Sequence, residues 1–335
     1  MSENEVRVGR VVQLVRRPVG MPVVSDFRVV EERVRQAGPG EVVVRNLFMS
    51  LDPGMLMQIG DYPGIPLPPF VVGEAMHGRA VGEVVESADP ELPVGTVVAH
   101  WLGWREFAVV AGEAVQVLDA TVPPASYLGF GHVAYVGLTK AAELREGDTV
   151  FVSSAAGATG SMAGQIARLL GAKRVVGSVG SPEKAEYARE TLGYDAVFDY
   201  HDGPIADRLR EVAPEGIDVY FDNVGGDHLR AAIEVMNVGG RIALCGALSR
   251  QRAGGVPDAG PGDLLPVIGK RLTLRGFTVL DHLDSAPEFG RLQRKWLADK
   301  AIVQSETIVD GLDKAPRTLL DLVSGTYRGK VVVRV

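Results

Sequence analysis

The amino-acid sequence predicts an α/β protein of two domains, one strand-rich and one built on a doubly wound parallel sheet of six strands. The chain has 335 residues, 46% of them hydrophobic, and this length exceeds what a single core usually organises. From about Asp148 onward, short apolar runs alternate with segments of helical period. Before that point, residues rich in Val, Gly and Pro form short alternating runs. This change of rhythm indicates two domains.

Residues 1–128 are predicted to form the strand-rich domain. Apolar and polar residues alternate there in runs such as EVVVRNLF, GRAVGEVVES and GTVVAHWLGWREFAVVAG. A segment studded with prolines, GDYPGIPLPPF from Gly60 to Phe70, interrupts the runs. Because proline cannot donate a backbone hydrogen bond, we expect this segment to be a loop that walls a pocket.

Residues 129–299 are predicted to form the parallel sheet. Its six strand-like runs are each followed by a helical segment: TVFVSS and SMAGQIARLLG, RVVGSV and PEKAEYARETLG, DAVFDY and PIADRLREVA, IDVYFDN and DHLRAAIEVMN, RIALCG and DLLPVIG, and LTLRGF and EFGRLQRKWLADK. Strands that alternate with helices are typical of a parallel sheet covered on both faces. We therefore expect a domain of the dinucleotide-binding type.

Residues 300–335 depart from this alternation. They read strand, helix, strand in the runs VQSETIVDG, LDKAPRTLLDLVSG and KVVVRV, and the last run is too apolar for a loose tail. We expect the chain to return here to the sheet of the first domain, which would then comprise residues 1–128 and 300–335.

The charge balance argues against nucleic acid and membranes as partners. The sequence contains 35 Lys and Arg against 42 Asp and Glu, with no long run of either sign. Residues 1–15 lack a signal-peptide pattern, and no apolar run approaches the ~18 residues of a membrane span. We expect a cytoplasmic protein.

The single cysteine, Cys245, restricts the chemistry further. It excludes an intramolecular disulfide and any zinc site built from several thiolates. The six histidines are scattered, without the H-x-x-x-H or H-x-H spacing of metal ligands. We expect no metal site.

A glycine turn follows the first strand of the second domain, in the run Ala155-Ala156-Gly157-Ala158-Thr159-Gly160. A tight turn at the start of a helix presents unpaired N–H groups and the positive end of the helix dipole, which suits a pyrophosphate. Glycine can also occur in such a turn for local reasons. Its place at the first strand-turn-helix unit favours dinucleotide binding.

The end of the second strand of this domain bears on which dinucleotide binds. An NAD site normally places an acid there, against the ribose 2′-hydroxyl, but the sequence reads Gly177-Ser178-Val179-Gly180-Ser181. Lys184, on the first helical turn beyond, could meet a 2′-phosphate; the alternative is an ordinary solvated lysine. NADPH is therefore favoured over NADH.

The sequence resembles the medium-chain dehydrogenase/reductases in several motifs. These are YVGLT, SSAAGATGSMAGQIARLLGAKRVVGSVGSPEKAEYA, YFDNVGGDHL, GGRIALCGALS, MSLDPGM, GWREFAVV and GKVVVRV. They are most similar to the zinc-free branch of leukotriene 12-hydroxydehydrogenase/prostaglandin reductases, plant 2-alkenal reductases and bacterial curcumin reductases. The resemblance implies a GroES-like β-rich domain, a Rossmann domain and a homodimer.

The resemblance also implies roles for particular residues. Gly157, Ala158, Thr159 and Gly160 would contact the pyrophosphate, and Lys184 and Tyr200 the adenosine phosphate. Asn223, Cys245, Gly246, Ala247 and Ser249 would follow the ribose and nicotinamide, with Phe277, Thr278 and Val279 beside the nicotinamide. Tyr327 stands where the family has the asparagine of its last G-x-N-x-G-K, and Asp52 and Tyr62 would belong to the substrate pocket.

Several positions depart from family patterns. Gly54 and Leu56 replace the tyrosine and arginine of M-S-L-D-P-Y-M-R, which would enlarge the pocket. The segment G-M-P-G-L-T-A-Y is shortened to residues 131–135, without its threonine. Where zinc alcohol dehydrogenases carry G-H-E, this chain reads Gly73-Glu74-Ala75-Met76-His77. A zinc-polarised alcohol oxidation is therefore not expected.

The reaction that the resemblance implies is the reduction of a conjugated double bond. Hydride from NADPH would reach the β-carbon of an α,β-unsaturated aldehyde or ketone, while charge develops on the carbonyl oxygen. Tyr62 is the candidate donor to that enolate oxygen, with packing or a lid role as the alternative. Two other functions stay open: an NADPH quinone oxidoreductase, and a non-catalytic NADPH-binding sensor or interaction protein.

Overall fold

The structure is a computed structural model that describes residues 7–60, 62, 67–119, 122–254, 260 and 262–335. The first part of the chain forms mostly strands: β1 (Val8–Leu14), β2 (Phe27–Arg33), β3 (Glu41–Ser50), β4 (Ala80–Ser87), β5 (Val97–His100), β6 (Phe107–Ala111) and β7 (Gln116–Val117), with one short helix, α1 (Met55–Gly60). In β5 and β6 alternate residues are buried, as expected for a sheet with one face on a core.

The middle of the chain alternates strands and helices. Its elements are α2 (Gly131–Val136), β8 (Thr149–Val152), α3 (Ala158–Leu169), β9 (Arg174–Val179), α4 (Pro182–Glu190), β10 (Ala196–Asp199), α5 (Ile205–Val212), β11 (Ile217–Asp222), α6 (Gly226–Val235), β12 (Met236–Leu244), α7 (Leu248–Arg252), α8 (Leu265–Lys270), β13 (Thr273–Gly276) and α9 (Ala286–Ala298). The chain ends with β14 (Glu306–Asp310), α10 (Ala315–Ser324) and β15 (Lys330–Arg334).

The second domain is built on a parallel sheet with the strand order β10-β9-β8-β11-β12-β13. Strand β8 shows why its sequence is apolar throughout. Val150 and Val152 enter the core on one face of the sheet, whereas Phe151 enters the core on the other. The predicted fold class, a doubly wound six-stranded sheet beside a strand-rich domain, is confirmed.

The last strands of the chain belong to the sheet of the first domain. In that sheet, β15 pairs with β14 on one side and antiparallel with β3 on the other, and the order continues through β4, β5 and β7. β6 also pairs with β3, and β1 and β2 form a separate two-stranded sheet. The boundaries at 128/129 and 299/300 stay a prediction.

The strand order reverses beside β8, and this reversal positions the cleft. Ligands of open α/β sheets bind at the carboxyl ends of the strands at such a point. The turn that leaves β8 also meets the first domain, because the Gly329 N–H donates to the Ala156 carbonyl at 2.8 Å. Within the described ranges, each helix is too short or too polar to cross a membrane.

Candidate functional site

A cavity of about 1570 Å³ opens at the carboxyl ends of β8 to β12, between the two domains. The second domain contributes the Gly157–Gly160 turn and Asn223, and the first contributes Asp52 and Tyr327. The volume exceeds the roughly 300–1,000 Å³ of a typical small-ligand pocket. The cleft therefore has room for a dinucleotide together with a second small molecule.

The turn after β8 packs tightly against the start of α3. Gly157 is the N-cap of α3, and a Cβ on Gly160 would lie 2.1 Å from the Ser154 carbonyl oxygen. A side chain cannot fit at Gly160, since the obstacle is backbone. The first N–H groups of a helix lack intrahelical acceptors, and here they lie at the cavity with the positive end of the dipole. The turn suits a pyrophosphate.

Lys184, Tyr200 and Arg252 form a basic corner of the cavity beyond the end of β9. Lys184 Nζ donates to the Gly325 carbonyl, and Arg252 Nη1 donates to the Tyr200 hydroxyl at 3.2 Å. Burial, followed by the charge of Arg252, lowers the pKa of Lys184. Glycine and serine, rather than an acid, follow β9. The corner therefore suits a phosphate better than a bare ribose hydroxyl.

The turn after β11 is held by a buried carboxylate. Asp222 Oδ1 accepts from the Tyr220 hydroxyl at 2.6 Å and from two backbone N–H groups of the turn at 2.9 and 2.8 Å. Burial raises the pKa of Asp222. Asn223 Nδ2 donates to the Ser153 carbonyl at 2.7 Å, which ties this turn to the end of β8. These bonds fix the orientation of Asn223 at the cavity.

The loop after β12 presents backbone rather than a reactive thiol. The N–H groups of Cys245 and Gly246 donate to the Asp222 carbonyl at 2.9 and 3.0 Å, and Ser249 Oγ donates to the Val224 carbonyl at 2.7 Å. Burial, with a smaller effect of the Asp222 charge, raises the pKa of Cys245 to about 12. The thiol therefore stays protonated at neutral pH and is a poor nucleophile.

Asp52 belongs to the wall that the first domain contributes. Lys330 Nζ donates to Asp52 Oδ1 and to the Leu51 carbonyl, both at 2.7 Å, and Ser50 Oγ donates to Asp52 Oδ2 at 2.6 Å. Lys330 is only 3% exposed, and burial lowers its pKa while Asp52 opposes the shift. Because Asp52 is committed to these bonds, it shapes the wall and is not a free base.

Tyr62 is absent from the described residues that line the cavity. Its N–H donates to the Met57 carbonyl at 3.1 Å, and the Arg250 guanidinium lies 5.7 Å from the centre of its ring. Much of its loop, Asp61 and residues 63–66, lies outside the described residues. Its role as a donor stays a prediction.

Comparison with known proteins places the chain in a family. The family described as "N-terminal domain of oxidoreductase" matches residues 10–118, and the one described as "Zinc-binding dehydrogenase" matches residues 158–293. The chain is 38% identical over 333 residues to NADPH-dependent curcumin reductase of Escherichia coli (strain K12), covering 96% of this chain and 95% of that protein. It is 34% identical over 326 residues to 2-alkenal reductase (NADP(+)-dependent) of Nicotiana tabacum, covering 94% of each.

A solved structure agrees with these matches. The crystal structure of CurA in complex with NADPH from Vibrio vulnificus superposes with a TM-score of 0.91 at 35% identity, over 97% of this chain and 99% of that one. The chain belongs to the medium-chain dehydrogenase/reductases. Within them it falls in the branch of the curcumin, 2-alkenal and prostaglandin reductases, as its motifs predict.

The cavity of this medium-chain dehydrogenase/reductase fits NADPH. Its glycine turn places the N-terminal residues of α3 at the cavity, and its basic corner has no acid in the usual place. Most residues predicted to contact the cofactor line it: Gly157, Ala158, Thr159, Gly160, Lys184, Tyr200, Asn223, Cys245, Gly246, Ser249, Thr278, Val279 and Tyr327. The structure thus brings together residues that are distant in sequence, and their individual contacts stay predictions.

Two of the predicted cofactor residues, Ala247 and Phe277, are not among the described residues that line the cavity. Ala247 is the N-cap of α7, and Phe277 packs edge-on against Phe221 with ring centres 6.3 Å apart. The Phe277 side chain therefore packs against β11 and does not face the cavity.

One family description names zinc. The described residues of this chain hold no group of three or more His, Cys, Asp or Glu that could bind a metal ion. His77, at the position compared with the zinc motif, has its Nε2 3.3 Å from Gln58 Nε2 and its ring edge-on to Phe70 at 4.7 Å.

Arg252 and His132 are among the cavity residues that sequence reasoning missed. His132 Nε2 lies 2.8 Å from Ser285 Oγ, which donates to the His282 carbonyl, and its ring stacks on Phe289. Burial is the main cause of its lowered pKa. Treating residues 131–135 only as a shortened segment hides this histidine. For Arg252, the available signal is the run RQR, residues 250–252, directly after the ALCGALS motif.

Proposed function

We propose that the protein is an NADPH-dependent reductase that adds hydride to the β-carbon of α,β-unsaturated aldehydes and ketones, without a metal. The observation that carries this proposal is the lining of the cavity. The second domain contributes a turn suited to a phosphate and a basic corner, and the first domain contributes the opposite wall. By their names, the two relatives are NADP-dependent reductases of curcumin and of 2-alkenals. Both kinds of substrate contain a conjugated carbonyl.

Different residues of the chain would bind different parts of the cofactor. The Gly157–Gly160 turn would bind the pyrophosphate, and Lys184 with Tyr200 the adenosine phosphate. Asn223 and the backbone of the loop after β12 would hold the ribose and nicotinamide. When bound, NADPH supplies the hydride, so the protein needs to orient the reactants and exclude water.

The enolate oxygen would be stabilised by a hydrogen-bond donor of the protein in the substrate pocket. Only a donor whose bond strengthens as charge develops raises the rate. We propose Tyr62 for this role, since the resemblance implies that it belongs to the substrate pocket. Its phenol lies in the loop after α1, beside Gly60. Apolar side chains that line the cavity, Val133, Val279 and Leu280, would exclude water. The α-carbon proton would then come from solvent.

The test is to incubate the protein with NADPH carrying deuterium at the transferable position and a panel of 2-alkenals, enones and quinones. We expect loss of reduced cofactor with alkenals and enones, and deuterium at the β-carbon of the saturated product by mass spectrometry. Turnover with quinones alone would instead identify a quinone oxidoreductase. Tight NADPH binding without turnover on any compound would identify a sensor.

We also propose a homodimer that acts in the cytoplasm, where a reductase of this kind can draw on the NADPH pool. The support for the dimer is the outer edge of the parallel sheet. β13 is the last strand in the sheet order, and α8 exposes Leu265 and Ile268 at 69% and 71%. An unpaired strand edge beside exposed apolar side chains is suited to a second copy.

A further inference from the structure

We propose that Arg252 determines the preference for a 2′-phosphorylated nucleotide, by forming with Lys184 a two-cation clamp on that phosphate. The inference rests on the proposed use of NADPH and adds a residue to the cofactor site. Arg252 ends α7 and Lys184 lies in the first turn of α4, so the clamp is assembled from two separate segments of the chain.

The contacts of the two cations carry the inference. Arg252 Nη1 donates to the Tyr200 hydroxyl at 3.2 Å, and Lys184 Nζ donates to the Gly325 carbonyl. Both side chains line the cavity. In the part of the chain that the structure describes, neither Lys184 nor Arg252 forms an ion pair with a carboxylate. Their known partners are thus a phenol and a peptide carbonyl, both neutral.

At this corner Lys184 is half-buried and Arg252 is exposed, and two like charges placed close together repel each other. Burial is the main cause of the lowered pKa of Lys184, and the charge of Arg252 lowers it further. A phosphate monoester carries about −1.5 to −2 charges at neutral pH, so its arrival between the cations would turn repulsion into attraction. A ribose hydroxyl could not do this, which is why the corner discriminates between the two nucleotides.

The two cations would contribute differently. Arginine offers a planar fork of N–H donors that binds two phosphate oxygens at once, whereas lysine acts as a point charge. Among the described residues, Tyr200 bonds Nη1 of Arg252, which leaves the other N–H donors of the guanidinium to reach the phosphate. Tyr200 therefore positions Arg252, in addition to any contact that Tyr200 itself makes with the phosphate.

The test uses two probes that lack nicotinamide: adenosine 2′,5′-bisphosphate and adenosine 5′-monophosphate. Calorimetric titration of Arg252→Gln should show the bisphosphate bound at least about tenfold more weakly, the size of a lost hydrogen bond to a charged group, with the monophosphate almost unaffected. Lys184→Ala should likewise weaken binding of the bisphosphate and leave binding of the monophosphate almost unaffected. Arg250→Gln is the matched control, because it removes the same charge from the same helix at the ring of Tyr62, and the preference for the bisphosphate should persist.

Unchanged bisphosphate binding in Arg252→Gln, or equal weakening for both probes, would overturn the clamp. Thermal melting establishes that each variant is folded. Should Arg252→Gln not fold, Arg252→Lys takes its place: it keeps the charge but loses the fork, so selective weakening of the bisphosphate is again expected and wild-type binding contradicts it. Since no readout needs turnover, the outcome is separate from that of the reductase proposal.

Discussion

Gly160 shows how one position controls the conformation of the turn that we propose binds the pyrophosphate. We predict that Gly160→Ala abolishes NADPH binding and lowers the free energy of unfolding by about 1–3 kcal/mol, because its Cβ would overlap the Ser154 carbonyl. Gly157→Ala is the comparison: its nearest obstacle is Ser154 Oγ at 2.9 Å, a side chain that can rotate. Urea unfolding and NADPH titration should rank Gly160→Ala as the more damaging. Equal effects would contradict the geometry.

Tyr62 is the residue on which the enolate proposal depends. Removing its hydroxyl in Tyr62→Phe should lower kcat about 10²-fold with little change in KM, as expected for a donor that acts in the transition state. Tyr127→Phe serves as control, because that hydroxyl bonds the Asp119 backbone. Steady-state kinetics with a 2-alkenal measures both, and an unchanged kcat in Tyr62→Phe would assign Tyr62 to packing.

At the scale of elements, a buried ion pair joins the end of β3 to the start of β15. Asp52→Asn leaves Lys330 buried without its counter-charge and should cost about 3–5 kcal/mol of unfolding free energy. Lys330→Met should cost less, since Asp52 is the more exposed partner. The double variant should be more stable than Asp52→Asn alone. Urea denaturation of the three variants tests this order, and additive losses would show that the pair is not coupled.

The elements also show how far a sequence pattern reaches. β9 coincides with the run RVVGSV, because a short strand buried on both faces has a clear apolar signal. β12 begins at Met236, inside the run read as helix, because α6 ends at Val235 and the chain continues directly into the strand. α7 covers Leu248–Arg252, a short and mostly polar run whose pattern does not indicate a helix. Where local pattern is weak, pairing and packing decide the boundary.

At the scale of the whole molecule, buried histidines predict loss of stability in acid. Burial lowers the pKa of His100 and His228 to about 4, below the 6.5 of an exposed histidine. Between these values the unfolded chain binds protons that the native chain does not, so the unfolding free energy falls as pH drops from 6.5 to 4. Each histidine would contribute roughly 3 kcal/mol of this loss.

His228→Leu should therefore reduce the difference between the unfolding free energies at pH 7 and pH 4.5. The Nε2 atom of His228 has no hydrogen-bond partner among the described residues, so the substitution breaks no bond at that atom. Urea unfolding at the two pH values measures the effect. The same pH dependence in wild type and variant would place the acid sensitivity elsewhere.

Assembly is the other property of the whole molecule. If two copies join their sheets at β13, the double variant Leu265→Asp, Ile268→Asp should be monomeric, because it places charges in an apolar contact. Val94→Asp, an equally exposed valine in the first domain, should not change the mass. Light scattering after gel filtration decides, and a monomeric wild type would remove the dimer proposal.

By itself, the sequence determined the fold class, the glycine turn at the first strand-helix junction and the lack of an acid after β9. These are local properties, because periodicity reports which face of an element is buried and a turn is encoded by adjacent residues. Only the tertiary structure brought Arg252 to Tyr200, 52 residues away, and Lys330 to Asp52, 278 residues away. Such long-range contacts depend on the order of the strands and the paths of the loops, and no local sequence pattern encodes them.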